Sequence, residues 1–374
     1  MNAAADRRIR VAVVFGGRSS EHAISCVTAG SVLQALDAER YEVVPVGIAT
    51  DGRWVLESGN VERLQIISPD KLPEVDADRE QVTLARTSSG AGLVVSDPTA
   101  PPRELGDVDV VFPLLHGPWG EDGTLQGMLE MAGVRYVGAG VLASAVSMDK
   151  AYMKIVLAAA GLPVMPSTTT TAREWERDQG AVRERCEQLG YPLFVKPARG
   201  GSSIGIAKAH GPDELADALE GAFEHDPKVL IEVSAEGARE IECGVLETLD
   251  GDVETSLPAE IRVTGEHEFY DFEAKYLPEE ATELDVPAVL DDATLARMRE
   301  LSAQAFRAVG GEGLARVDFF LMPDGSLVVN ELNTMPGFTP LSMFPRMWAA
   351  TGLAYGDLVD RLVSLALQRG TGLR

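Results

Sequence analysis

Leu314-Ala315-Arg316-Val317-Asp318-Phe319-Phe320-Leu321-Met322, then Pro323-Asp324-Gly325-Ser326, then Leu327-Val328-Val329-Asn330-Glu331-Leu332-Asn333, is the stretch on which the reading of this chain turns. Two β-rich runs flank an Asp-Gly pair, which predicts a hairpin. With the turn centred on Asp324-Gly325, Asp318 stands opposite Glu331 and Arg316 opposite Asn333. Side chains alternate along a strand, so these four share one face. Directly opposed residues have Cβ atoms about 5 Å apart, and two carboxylates at that spacing repel unless positive charge lies between them. The oxygen-bearing side chains of Asp318, Glu331 and Asn333 suit Mg²⁺, which prefers oxygen ligands and bridges carboxylates to substrate phosphates. A surface hairpin with solvated charges would carry the same Asp–Glu pair. The adjoining Arg316 and the following Thr334-Met335-Pro336-Gly337 turn favour a reactive site, because a cation beside a metal neutralises charge that develops during reaction.

Around this hairpin the chain runs to 374 residues, which suits two or three domains. Apolar residues make up 45% and charged residues 24%, a soluble globular balance. The net charge of −25 argues against a nucleic-acid backbone or an anionic membrane as partner, but not against a phosphate ligand met by local Lys and Arg. Cys26, Cys186 and Cys243 show neither zinc spacing nor a disulfide framework, which fits a reducing compartment. The apolar run after Arg7, Arg8 and Arg10 is too short for a signal core, and no stretch approaches the ~20 apolar residues that span a bilayer. A cytoplasmic protein is expected.

From the N-terminus, residues 9–15 read as a buried strand, Gly16-Gly17-Arg18-Ser19-Ser20 as a tight loop, 21–36 as a helix and 41–48 as a second strand. This opens an α/β sheet. The loop lacks the dinucleotide and P-loop spacings. It places Glu21 at a helix N-terminus beside the strand's C-terminal edge, where ligands of such sheets bind; a first-turn charge favoured by the helix dipole is the plain alternative. Residues 51–105 are irregular, with short strands expected at 81–85 and 93–95, and carry no identifiable chemistry. A strand over 108–115 ends in His116 and a glycine-punctuated loop, before a helix over 125–132. Ser147-Met148-Asp149-Lys150 opens a long helix to residue 160. A strand at 168–171, a helix over 172–189 and a strand over 193–197 lead into Ala198-Arg199-Gly200-Gly201-Ser202-Ser203-Ile204-Gly205, a loop whose backbone N–H groups can wrap phosphates. Strands follow at 206–208, 229–232, 239–246, 255–262 and 268–276, with helices over 213–223, 291–309 and 355–368.

In this order, Phe15-Gly16-Gly17-Arg18-Ser19-Ser20-Glu21-His22, His116-Gly117 through Gly123-Thr124, Ser147-Met148-Asp149-Lys150, Val195-Lys196-Pro197, Gly201-Ser202-Ser203-Ile204-Gly205, residues 270–276, Ala315-Arg316-Val317-Asp318 and Asn330-Glu331-Leu332-Asn333-Thr334-Met335-Pro336-Gly337 resemble the ATP-grasp superfamily and, within it, the D-alanine–D-alanine ligases. The resemblance spans nearly the whole chain and is weakest at 51–105. It implies an α/β and α+β, three-domain ATP-grasp architecture. Its parts are an N-terminal open α/β (pre-ATP-grasp) domain over 1–145, a central subdomain over 146–233 and a C-terminal subdomain over 234–374.

The same resemblance implies ATP between the second and third domains. Lys150 and Lys196 look like the nucleotide lysines, Glu232 meets adenine, Glu240 the ribose and Lys275 the terminal phosphate, while Ser202 and Ser203 lie in a loop that closes over the phosphates. Asp318, Glu331 and Asn333 would hold two Mg²⁺ ions, with Mn²⁺ able to substitute. The implied reaction joins two D-alanines through a D-alanyl phosphate, for peptidoglycan precursors. Glu21 would pair with the first D-alanine's ammonium in a network with Ser202 and Tyr276, with His116 nearby. Arg316 and the backbone N–H of Gly337 would stabilise the oxyanion, and Ser342 with the backbone of Met343 would hold the second carboxylate. Depsipeptide ligases carry Phe where this chain has Tyr276, so Tyr favours the dipeptide. A homodimer is implied, without nucleic-acid or membrane partners. Another ATP-grasp carboxylate–amine ligase is the first competing reading, against which Glu21, Lys275-Tyr276 and Ser342 count. A non-catalytic binding protein is the second, and the full set of Arg316, Asp318, Glu331 and Asn333 counts against it.

Overall fold

The computed structural model describes residues 7–66, 72–86, 90–96, 101–263 and 282–372. The strand expected over 268–276, with Lys275 and Tyr276, lies outside the described residues.

The first unit is β1 (Ile9–Gly16), α1 (His22–Ala35), β2 (Tyr41–Ile48), β3 (Trp54–Leu56), β4 (Gln81–Arg86), β5 (Ala91–Ser96), β6 (Arg103–Asp107), β7 (Val110–Pro113), α2 (Thr124–Ala132) and β8 (Arg135–Tyr136). Its sheet has the order β6-β5-β4-β3-β2-β1-β7-β8. β1 runs parallel to β2 and β7, whereas β2 through β6 pair antiparallel. β1 is apolar almost throughout because both faces are covered. Val11, Val13 and Phe15 pack with Leu358, Leu362 and Ala366, while Ala12 and Val14 pack with Leu125 and Leu129. The irregular 51–105 stretch therefore widens this sheet.

Next come α3 (Val141–Met148), α4 (Lys150–Ala159), β9 (Ser167–Thr171), α5 (Ala172–Arg177), α6 (Gln179–Leu189), β10 (Leu193–Pro197), β11 (Ala207–Ala209), α7 (Leu215–Phe223) and β12 (Lys228–Val233). Their four strands form an antiparallel sheet in the order β11-β10-β12-β9. The last group is β13 (Arg239–Glu247), β14 (Val253–Thr255), β15 (Ala259–Val263), β16 (Thr282–Asp285), α8 (Asp292–Ala308), β17 (Leu314–Leu321), β18 (Leu327–Asn333), α9 (Met343–Thr351) and α10 (Tyr355–Gln368). Its sheet runs β16-β15-β13-β17-β18, with β14 paired to β13. α10 reaches back onto the first sheet, which it covers with Leu358, Leu362 and Ala366.

Three expected elements are divided. The helix expected from residue 147 is two helices, because Asp149 leaves helical geometry and caps α4, accepting from the N–H groups of Ala151 at 3.1 Å and Tyr152 at 3.2 Å. The helix expected over 172–189 breaks at Asp178, which caps α6 by accepting from Ala181 N–H at 3.0 Å. The strand expected over 255–262 is interrupted at Ser256-Leu257-Pro258, between β14 and β15. α9 is a further helix that the sequence analysis does not assign; Pro345 sits in its first turn, where a missing N–H is tolerated.

The central hairpin has the expected pairs by an unexpected route. Gly325 N–H donates to Met322 O and Met322 N–H to Ser326 O, both at 2.9 Å. The loop is therefore the three residues Pro323-Asp324-Gly325, with Gly325 at φ +84°. That offsets the register by one: Phe319 pairs with Val329. A β-bulge at Asn330 restores it, and Asp318 then faces Glu331 and Arg316 faces Asn333. Without the bulge Glu331 would face Val317, which is fully buried in the apolar core.

Candidate active site

Every site residue named from the sequence, among the described residues, lines one cleft of about 740 Å³ between the three sheets. Its floor is a single sheet face. Arg316 grips Asp318 with two hydrogen bonds of 2.7 Å, from Nε and Nη2, and lies 3.2 Å from Glu242 on the adjacent β13. Asn333 Nδ2 donates to Asp318 at 3.0 Å. Burial opposes the charge on Arg316, but Asp318 and Glu242 outweigh it and hold the guanidinium firmly protonated. No group of three or more His, Cys, Asp or Glu close enough to hold a metal occurs among the described residues. The oxygen set of Asp318, Glu331 and Asn333 still fits Mg²⁺, which takes one or two carboxylates and completes its shell with phosphate and water.

The opposite wall is cationic. Lys150, at the start of α4, sits 3.1 Å from Glu331 and donates to Gly200 O at 2.9 Å. Lys196 pairs closely with the buried Glu232. Lys154 lies 2.8 Å from the other oxygen of Glu232. Burial alone would raise the Glu232 pKa, yet the two ammonium groups hold it down at about 2. Glu240 faces the same cleft from β13.

The third side comes from the first unit. Glu21 is the N-cap residue of α1, but its side chain makes no capping hydrogen bond. Its carboxylate instead accepts from Ser202 Oγ at 2.5 Å, across to the glycine-rich loop. Ser202 and Ser203 adopt left-handed φ of +51° and +58°. A Cβ at Gly201 would come within 2.9 Å of Glu21 Oε2, and one at Gly117 within 2.8 Å, so a side chain at either position would push this carboxylate aside. His116 is buried, with Nδ1 3.3 Å from Met335 O. Burial lowers its pKa against the pull of Glu21, which favours the neutral ring, and the carbonyl beside Nδ1 favours the tautomer that donates there. Nε2 is then an acceptor, buried without a hydrogen-bond partner. Ser342, just before α9, bonds Thr339 Oγ1 at 2.9 Å, and a Cβ on Gly337 would lie 3.2 Å from its hydroxyl.

Three charged residues here escaped sequence reasoning. Glu242 shares the face of Glu240 two positions on, Lys154 lies one helical turn after Lys150, and Glu121 sits in the loop after His116. Each spacing was legible, but each also describes an ordinary solvated charge.

Comparison with known proteins gives the family. The D-ala D-ala ligase N-terminus family matches residues 10–139 and the D-ala D-ala ligase C-terminus family residues 156–364. A D-alanine–D-alanine ligase of Paenarthrobacter aurescens (strain TC1) is 58% identical over 369 residues, covering 98% of this chain and 97% of the relative. One of Streptomyces coelicolor is 54% identical over 372 residues, covering 98% and 95%. Among solved structures, the VanG D-Ala:D-Ser ligase from Enterococcus faecalis superposes with TM-score 0.82 at 34% identity, covering 96% of this chain and all of that one. The D-alanine–D-alanine ligase from Coxiella burnetii gives 0.79 at 34% identity, covering 97% and 94%. With the ATP-grasp fold and both halves of the family present in order, the chain belongs to the D-alanine–D-alanine ligases.

Proposed function

We propose that the chain makes D-alanyl-D-alanine for peptidoglycan synthesis in an ATP-dependent ligation that proceeds through D-alanyl phosphate. The observation that carries this reading is the meeting, in one cleft, of the Arg316–Asp318–Glu331–Asn333 face, the lysines of the opposite wall and the Glu21–Ser202 contact. A carboxylate is a poor acyl donor. One D-alanine carboxylate oxygen attacks the γ-phosphorus of ATP, the bond to the β-phosphate oxygen breaks, and ADP leaves. The amine of a second D-alanine attacks the acyl carbon, a proton is lost from nitrogen, and phosphate departs from the tetrahedral intermediate.

Lys150, Lys196 and Lys275 bind the phosphates, with Ser202 and Ser203 in the loop that covers them. Glu232 and Glu240 take the adenine and ribose. Asp318, Glu331 and Asn333 would hold two Mg²⁺, which neutralise charge on the transferring phosphoryl group. Glu21 accepts the first D-alanine's ammonium, and the free Nε2 of His116 supports a second acceptor at that position. Arg316 and the Gly337 N–H stabilise the oxyanion. Ser342 and the backbone N–H of Met343 hold the second carboxylate, supported by their place at a helix N-terminus. Tyr276 would join Glu21 and Ser202, as the family resemblance implies, and disfavour D-lactate. Excluding water protects the acyl phosphate from hydrolysis.

The three sheets support domains over 1–145, 146–233 and 234–374. A homodimer in the cytoplasm, without nucleic-acid or membrane partners, is the accompanying proposal. The net charge of −25 supports the absence of nucleic acid, and no helix among the described residues is long and apolar enough to cross a membrane.

The test is product analysis with ATP, Mg²⁺ and D-alanine, with D-lactate, D-serine and L-alanine as competitors. D-Alanyl-D-alanine with matching ADP and phosphate is expected. ATP turnover without that dipeptide would move the chain to another carboxylate–amine ligase, and no turnover would restore the binding-protein reading. Tyr276→Phe is expected to raise the D-lactate product, and an unchanged product ratio would remove Tyr276 from substrate choice.

A further inference from the structure

The metal-facing pairs depend on one irregularity, the bulge at Asn330, and the bulge lies on an edge strand. Edge strands expose unpaired backbone groups unless something covers them. Here α4 and the chain after it cover the outer side of β18. Val329 N–H donates to Pro163 O at 2.8 Å, and Leu332 N–H lies 3.3 Å from Met153 Sδ. Between these two, the ammonium of Lys154 donates to the carbonyl of Asn330, the bulged residue itself, at 3.2 Å. Lys154 is only 4% exposed, and its other partner is Glu232, at 2.8 Å.

We infer that Lys154 is a positioning residue that grips the Asn330 bulge, and so sets the register that brings Glu331 and Asn333 to the cleft face. The inference rests on the proposed metal role of that face. It goes further in assigning one buried ammonium to both halves of the site. Lys154 joins the carboxylate proposed for adenine to the carbonyl next to a proposed metal ligand. Neutralising Glu232 does not by itself require Lys154, because Lys196 already pairs with that carboxylate. The added contact is the one to Asn330. A bulge is a local choice between two registers, one residue apart, that send Glu331 to opposite faces. A single buried donor at the bulged carbonyl biases that choice.

The test compares the full-length wild type, Lys154→Met and Glu331→Gln. Mn²⁺ binding is measured by calorimetry with a non-hydrolysable ATP analogue present, analogue binding is measured alone in chelator, and amide exchange is followed over residues 327–333. Loss of a group that orients a metal ligand typically costs 10–100-fold in metal affinity. Lys154→Met is expected to weaken Mn²⁺ binding about tenfold, to weaken metal-free nucleotide binding less, and to speed exchange in β18. Wild-type Mn²⁺ affinity and unchanged exchange in Lys154→Met, with binding lost in Glu331→Gln, would overturn the inference alone. Equal Mn²⁺ binding by wild type and Glu331→Gln would overturn the metal reading beneath it. Should Lys154→Met not fold, Lys154→Gln replaces it. Its amide is uncharged and one atom shorter, so a smaller shift in the same direction is expected, and no shift overturns the inference.

Discussion

The two walls of the cleft are built on opposite plans. The acidic wall is one face of one sheet: Glu242 on β13, Asp318 on β17 and Glu331 on β18 are cross-strand neighbours, and the cation Arg316 lies among them. The basic wall draws Lys150 and Lys154 from α4 and Lys196 from β10, and the buried anion Glu232 lies between Lys154 and Lys196. Each wall thus carries a single counter-ion that keeps like charges close enough to act on a polyphosphate. Lys150 and Glu331, 3.1 Å apart, join the two. The comparison teaches that charge density at this site comes from local pairing rather than from the net charge of −25, whose sign alone would repel ATP.

Removing the counter-ion of each wall should therefore fail differently. Arg316→Ala leaves Asp318 and Glu242 facing without their cation and deletes the proposed oxyanion donor. Turnover is expected to fall on the order of 10³-fold, while nucleotide binding, in which Arg316 is given no contact, changes little. ADP release and calorimetry with an ATP analogue measure the two. Full activity would remove Arg316 from the mechanism, and a matching loss of nucleotide affinity would erase the distinction between the walls. Glu232→Gln should instead strike stability and nucleotide binding. Two buried ammonium groups lose their carboxylate, and breaking a buried pair of this kind costs about 3 kcal/mol. Urea midpoints and the KM for ATP are the readouts. A variant as stable as wild type, with an unchanged KM, would show that Lys154 and Lys196 need no anion between them.

The same contrast explains what was legible in the sequence. The acidic wall follows from strand alternation, a property of contiguous residues, so Arg316, Asp318, Glu331 and Asn333 could be placed on one face from a single hairpin. Even there the agreement hid two departures. The loop has three residues instead of two, and the bulge at Asn330 cancels the offset, since only that register keeps Glu331 out of the apolar core. The basic wall is assembled by packing between distant segments. Lys196 stood out beside the glycine-rich loop, the nucleotide role of Lys150 and Lys196 came only through motifs shared with a family, and Lys154 on its own is one more helical lysine. The helix read as opening at Ser147 instead straddles two elements, because Asp149 ends α3 and caps α4, a contact between side chain and backbone that the apolar pattern does not show. Residues 51–105 gave short strands without a role. In the structure they widen the first sheet, and Val75 N–H donates to His22 Nε2 at 3.1 Å, bracing the loop before Glu21.

The seam where the first unit meets the acidic wall sharpens the comparison most finely. Glu121 Oε2 accepts Gly117 N–H at 2.7 Å, and Oε1 accepts the N–H of Met335, in the turn that carries Gly337, at 3.2 Å. Unlike Glu232, it has no ammonium group bonded to it among the described residues. Burial, reinforced by Glu21, pushes its pKa from 4.5 up to about 8. The folded chain therefore keeps a proton that the unfolded chain has released. That proton's contribution to stability is fully present at low pH and is lost as pH rises from 4.5 through about 8. Glu121→Gln keeps the shape and cannot ionise. Its thermal midpoint is expected to fall less than that of wild type over the same interval, with the two curves diverging toward alkaline pH. The difference between variant and wild type isolates this carboxyl from the many others. Parallel curves would mean that the two backbone N–H groups suffice to hold Glu121 ionised, and that a buried carboxylate at this seam needs no counter-ion of the kind both walls possess.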